Sequence, residues 1–295
     1  GEIPSFVDAM YEIVSGFTTT GATILPQVEE LSKATLMWRS FSHWIGGMGV
    51  LVFILAVLPL AGDCNMHIMR AESPGPSVGK LVPKIRSTAK LLYTIYFVMT
   101  VVMILLLLLG KMPLFDSICM SFGAAGTGGF SCRNSGQIDY TAYQQMVIAV
   151  FMLLFGVNFN VYYLILDKRF KDVFRCEELR GYLAIVAVAV IAIMFNIRSM
   201  FPSLGRTFHE AFFQVSSVIT TTGYATADFD QWPEFSKCVL LLLMFIGACA
   251  GSTGGGMKVS RVMMAFKEMK KEIAAVVHPR RVKVLKFEHK PLGHD

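Results

Sequence analysis

Thr18-Thr19-Thr20-Gly21-Ala22-Thr23, Gly126-Thr127-Gly128-Gly129-Phe130-Ser131 and Thr220-Thr221-Thr222-Gly223-Tyr224-Ala225 occupy three places in a 295-residue chain and align without gaps. The alignment runs backward through Phe6-Val7-Asp8, Leu114-Phe115-Asp116 and Phe208-His209-Glu210, so an acid stands thirteen residues before the key glycine each time. Gly21, Gly129 and Gly223 are 108 and 94 residues apart, and an aromatic follows the glycine in two copies, Phe130 and Tyr224. Self-similarity at a fixed register is the signature of a repeat architecture. Each copy predicts a short amphipathic helix of about a dozen residues and then a Thr/Gly-rich extended stretch.

The surroundings of these stretches are apolar. Apolar residues make up 54% of the chain, charged residues only 16%, and the mean hydropathy is +0.54, where a soluble domain carries about a quarter charged residues. Residues 44–61, 91–110, 146–166 and 181–195 hold almost no charge, and three of these runs reach the roughly 18–20 residues that cross a bilayer. Four such runs in one chain predict a polytopic, all-α integral membrane protein.

The net charge of +6 does not point to nucleic acid, because of where the basic residues stand. Segments 63–90, 167–180 and 258–290 hold 20 of the 27 lysines and arginines, which puts these segments in the cytoplasm by the positive-inside rule. The intervening connections carry Glu29, Glu30, Asp139, Asp228, Asp230 and Glu234 and fall outside. The six cysteines show no CxxC spacing, and in apolar stretches a cysteine behaves as a small hydrophobe. The chain opens on Gly1-Glu2-Ile3-Pro4 with no basic n-region, so a clipped chain is expected.

A short helix that does not span, followed by irregular backbone at membrane depth, is tolerated only where it is buried in protein or lines a cavity. Glycine permits backbone angles that let successive carbonyls point one way, and threonine adds a hydroxyl. Rings of such carbonyls replace the hydration shell of potassium, and helix C-termini aimed at the axis favour a cation. The candidate filter residues are therefore Thr19, Thr20, Gly21, Thr127, Gly128, Gly129, Thr221, Thr222 and Gly223. A further irregularity follows the third copy. An apolar helix starting near residue 238 meets five glycines within 247–258, each costing about 1 kcal/mol against alanine in a helix interior. It should open there and resume near Val259.

Ser15-Gly16-Phe17-Thr18-Thr19-Thr20-Gly21-Ala22-Thr23, His43-Trp44-Ile45-Gly46-Gly47-Met48-Gly49 and Gly247-Ala248-Cys249-Ala250-Gly251-Ser252-Thr253-Gly254-Gly255-Gly256-Met257-Lys258 together resemble the Trk/Ktr potassium transporters, closest to their TrkH type. The resemblance runs over essentially the whole chain. It implies repeated M1–pore-loop–M2 units around a central pore, four in the family. Here they divide as residues 1–62 (pore loop and inner helix), 63–168, 169–277 with the interrupted inner helix, and 278–295 as the cytoplasmic start of a fourth. It also implies potassium uptake, potassium held at the filter residues as the transported ion, and a gate loop of Gly247, Gly251, Ser252, Thr253, Gly254, Gly255, Gly256 and Lys258 under the filter. A homodimer in the inner membrane of a bacterium and a cytosolic nucleotide-binding regulatory subunit, TrkA-like, complete the expectation.

Gly251–Lys258 has the look of a phosphate-cradling loop, but Met257 intrudes, Val259 stands where the hydroxyl belongs, and no strand precedes it. Asp8, Asp116 and Glu210 suit helix N-termini better than an acidic ring at an outer mouth. His43 and His209 read as structural residues beginning helices, and Lys258 as either a cation-repelling charge or a lysine reaching the interface. A sodium-permeable relative is the alternative within transport. An intramembrane enzyme would need paired catalytic residues, and the mid-helix candidates Asn158 and Asn160 have no partner acid or histidine in the sequence around them.

Overall fold

A computed structural model describes residues 2–3, 5–49, 85–277, 286–287 and 290–291. Unit boundaries at 62/63, the apolar run beyond residue 49, the basic segment 63–84, Cys64 and the stretch 278–285 lie outside the described residues.

The described chain is helical apart from a two-residue β pair, β1 (Lys286–Phe287) with β2 (Lys290–Pro291). The helices are α1 (Phe6–Phe17), α2 (Lys33–Gly47), α3 (Ile85–Leu109), α4 (Leu114–Ala125), α5 (Ala142–Phe155), α6 (Phe159–Leu166), α7 (Phe170–Arg175), α8 (Glu177–Asn196), α9 (Leu204–Ile219), α10 (Glu234–Ile246) and α11 (Val259–Val277). Their starts are written locally. Ser5, Ser32, Thr141 and Ser203 cap α1, α2, α5 and α9 by accepting backbone N–H bonds, and Thr141 forms a full capping box with Gln144.

Lys90–Leu109 and Glu177–Asn196 are long and apolar enough to cross a membrane. These match the expected runs 91–110 and 181–195. Each turns Leu, Val and Phe outward, including Phe97, Leu105, Val188 and Phe195, a surface that water would penalise and hydrocarbon does not.

The run 146–166 departs from expectation. It is not one helix: α5 and α6 meet at a 90° bend. Gly156 caps α5, and Asn158 starts a new helix by accepting from the Asn160 N–H at 2.9 Å. Asn158 and Asn160 are thus at a helix start and not mid-helix. The apolar pattern masked the break because both segments are equally hydrophobic.

Two cores hold the helices. One gathers Tyr96, Met103, Met120, Ile148, Met152 and Phe155 from α3, α4 and α5. The other gathers Tyr182, Ile193, Val215, Ile219, Leu240 and Leu243 from α8, α9 and α10. The short helices α1, α4 and α9 pack against α2, against α2, α3 and α5, and against α5, α8 and α10.

Candidate functional site

After each of the three short helices the backbone does the same thing. Thr19, Thr127 and Thr221 take left-handed angles (φ 54°, 52° and 57°), and two residues on Gly21, Gly129 and Gly223 do so again (φ 72°, 84° and 86°). A β-branched residue in this region costs on the order of 1–3 kcal/mol and persists only when its surroundings enforce it. The same pair of hydrogen bonds recurs each time. Thr19, Thr127 and Thr221 donate N–H to Gly16, Ala124 and Val218, at 3.1, 3.2 and 3.0 Å; Thr20, Gly128 and Thr222 donate to Ser15, Gly123 and Ser217, at 3.0, 3.0 and 2.9 Å. Helix C-terminal carbonyls, orphaned by the end of the helix, hold the strained stretch in place.

The three stretches lie side by side in chain order. A Cβ on Gly21 would overlap the carbonyl oxygen of Gly128, and one on Gly129 would overlap that of Thr222. Around Gly223, nothing among the described residues lies within 4 Å of such a Cβ. The three expected filter stretches are therefore brought together in one row, Gly21 against the Gly128 carbonyl and Gly129 against the Thr222 carbonyl.

The aromatic after the glycine tightens this row. Phe130 reaches back to the first copy, stacked on His43 at 4.1 Å between ring centroids and covered by the Arg39 guanidinium at 4.1 Å. Tyr224 reaches back to the second, donating its hydroxyl to the Phe130 carbonyl at 3.1 Å. His43 accordingly does not begin a helix; it lies fully buried near the end of α2, its ring against Gly128. His209 lies in the second turn of α9 and bonds Gln145 at 2.7 Å.

The acids behave differently from one another. Asp8 and Asp116 stand in first helical turns, as expected. Asp116 pairs with Arg133 at 3.1 Å. Glu210 is instead buried in the body of α9, where it takes Arg206 at 2.5 Å and the Thr226 hydroxyl at 2.6 Å. Sequence reasoning passed over Glu12, which in this register stands where the third copy has Gln214. Buried in α1, it accepts from Thr23 Oγ1 at 2.7 Å, Ile24 N at 2.8 Å and Arg39 Nε at 3.0 Å. A second acid one turn beyond Asp8, on an otherwise apolar short helix, was the available signal. Removing one partner of a buried ion pair costs about 3–5 kcal/mol. Glu12→Ala, which strands Arg39, is expected to lower the thermal midpoint of detergent-solubilised protein far more than Asp8→Ala; equal midpoints would contradict the buried pair.

Beneath the row sits the glycine-rich segment. The apolar helix ends at Ile246 and resumes at Val259, and Gly247, Gly251 and Gly256 all have positive φ. Gly255 donates its N–H to Thr221 Oγ1 at 2.7 Å, and Thr127 Oγ1 donates to the Thr253 carbonyl at 3.0 Å. A Cβ on Gly254 would lie 3.0 Å from the Thr220 carbonyl. The loop thus touches the left-handed threonines of two copies. Ser252 folds inward, its hydroxyl on the Cys249 carbonyl at 2.6 Å. The Lys258 ammonium turns back to the Gly254 carbonyl.

The loop also fits into the α5–α6 break. Cys249 N–H bonds the Gly156 carbonyl at 3.0 Å, Thr253 Oγ1 the Phe155 carbonyl at 3.3 Å, and Phe159 N–H the Gly251 carbonyl at 3.0 Å. Each interruption supplies the polar partners that the other lacks, which is how broken helices survive at membrane depth.

The model of the family described as "TrkH: Cation transport protein" matches residues 2–201 and 182–295. The chain is 38% identical over 294 residues to the Trk system potassium uptake protein TrkH of Salmonella typhimurium, covering 98% of this chain and 61% of that protein. It is 38% identical to TrkG of Escherichia coli over 94% of this chain and 58% of that one. The crystal structure of the potassium transporter TrkH from Vibrio parahaemolyticus superposes with a TM-score of 0.83 at 33% identity, over 98% of this chain and 60% of that chain. The chain spans about three-fifths of the length of these relatives. With its apolar spans and its match end to end, it is a membrane protein that belongs to the TrkH family of cation transport proteins.

Proposed function

We propose that the protein, in its full length, carries potassium inward across the cytoplasmic membrane of a bacterium. In this reading Thr19–Gly21, Thr127–Gly129 and Thr221–Gly223 are the filter segments of three M1–pore-loop–M2 units, residues 1–62, 63–168 and 169–277. A fourth unit, beginning at 278–295, closes the ring beside Gly223. The loop of Gly247, Gly251–Gly256 and Lys258 is the gate beneath it.

The observation that carries this reading is the threefold recurrence of a left-handed threonine and a left-handed glycine, each copy abutting the next. Such backbone turns carbonyls toward a common line, where they can replace ion hydration. The helix C-termini at Phe17, Ala125 and Ile219 end against the same stretches and favour a cation there. The potassium named in the relatives' titles supports that ion over sodium. Transport by fixed carbonyls needs no catalytic group, so the protein acts as a transporter and not an enzyme. The "Trk system" names support a multi-component assembly, which we assign to a homodimer acting with a cytosolic nucleotide-binding subunit on the basic inner face.

The test is growth. The full-length protein is expected to restore a bacterium lacking potassium uptake to growth in low potassium. Growth no better than an empty vector, with the protein present in the membrane, overturns the reading.

A further inference from the structure

Glu178 stands in the first turn of α8 and is buried, at 3% exposure. A carboxylate in a first turn is ordinarily satisfied by its own helix's free N–H groups. This one reaches other elements. Oε1 accepts from Ala250 N at 2.7 Å and from Ser260 N at 3.3 Å, and Oε2 accepts from Asn158 Nδ2 at 3.3 Å.

Those three donors are not neighbours in sequence. Ala250 lies just before the glycine-rich stretch and Ser260 just after it, in the first turn of α11. Asn158 caps α6 at the 90° bend. Its side-chain oxygen would lie 3.1 Å from a Cβ on Gly251. One carboxylate therefore bonds the loop's entry, the loop's exit and the break in the adjacent inner helix.

We propose that Glu178 is the latch of the loop: a positioning residue that holds Gly251–Lys258 against the row of threonines and ties its movement to the α5–α6 bend. This rests on the reading of the loop as a gate. A charged acceptor makes stronger bonds than a neutral one, and it draws both loop ends to one point. The Ala250 and Ser260 bonds fix the two ends of Gly251–Lys258, so a displacement that carries either end with it must lengthen one of them. Such a displacement also withdraws Gly251 from Phe159 and changes the set of donors that Asn158 shares on the carboxylate.

The experiment measures basal potassium flux of the full-length protein in liposomes, without the cytosolic partner. Glu178→Gln is built into the natural loop and into a loop shortened within Gly251–Gly256. Asn158→Ser is the second variant. Serine still caps α6 but is too short to reach Glu178, and it leaves the buried charge in place if Glu178→Gln does not assemble. Each substitution is expected to raise basal flux severalfold in the natural loop, Glu178→Gln more, and to add nothing once the loop is shortened. A purely structural role would change both backgrounds alike, and that result overturns the latch. If shortening raises flux while neither substitution does, the latch is wrong and the gate stands. If shortening does not raise flux, the gate fails and the latch falls with it.

Discussion

Gly129→Ala in the full-length protein is expected to cut potassium uptake by at least about tenfold, the equivalent of about 1.4 kcal/mol. Two costs combine at this residue. Its φ of 84° penalises any L side chain by about 1–2 kcal/mol. The methyl group would also overlap the carbonyl oxygen of Thr222, and that carbonyl is backbone, so no rotamer change relieves it. Either the second stretch or the third must shift, and a carbonyl moved from the ion path no longer replaces water. Gly223→Ser provides the contrast. The angle is similarly left-handed, at 86°, but no described atom lies within 4 Å of a Cβ there. It is expected to leave the amount of protein in the membrane near normal while lowering discrimination between potassium and sodium. Uptake and ion preference measured in liposomes separate the two. Wild-type uptake by Gly129→Ala would remove residues 127–129 from the ion path.

Shortening the loop within Gly251–Gly256 is expected to raise basal flux severalfold and weaken dependence on the cytosolic partner. Coupling between a regulator and a gate is typically about 1–3 kcal/mol, or about 5–150-fold. The loop's hold on the row is two hydrogen bonds, Gly255 to Thr221 and Thr127 to Thr253, each worth only about 0.5–1.5 kcal/mol net. Removing it frees the Phe155 carbonyl from Thr253, but on a path that then admits water. A mere spacer would behave oppositely. Shortening it would pull α10 and α11 together, distort the third copy and abolish flux. Loss of flux in correctly assembled protein would leave the gate without support.

The row of threonines and glycines was legible because its chemistry is local: glycine readily takes the positive φ found at Gly21, Gly129 and Gly223, and three registered copies make chance an inadequate explanation, whereas nothing local announced that Thr19, Thr127 and Thr221 are left-handed too. The loop was legible for the same reason, since Gly247 to Gly256 cannot continue a helix. What escaped was whatever depends on tertiary pairing. Asn158 looked like a polar residue inside an apolar helix, because nothing in 146–166 itself announces that Cys249 and Thr253 will take up the freed carbonyls. Glu12 and Arg39 are 27 residues apart and belong to different helices, and Glu178 finds its donors 72 and 82 residues on. Hydrophobic periodicity reports which face is apolar; it is silent about which distant amide a buried carboxylate will meet. His43 was misplaced for a simpler reason. Helix α2 begins ten residues earlier, at Lys33, behind the Ser32 cap.

The contacts of Gly21 with Gly128 and of Gly129 with Thr222 join copies that a single gene encodes separately. In an assembly of identical subunits, one substitution appears at every position around the axis and the change in ion coordination is all or nothing. Here each copy carries its own middle residue, Thr20, Gly128 or Thr222, and can be altered alone. In the proposed filter, the part of the coordination shell that one copy supplies can then be weakened while the others stay intact. Ion preference in such a chain can drift by small steps, each tolerated, with the constraint falling mainly on the neighbour whose carbonyl the altered glycine touches.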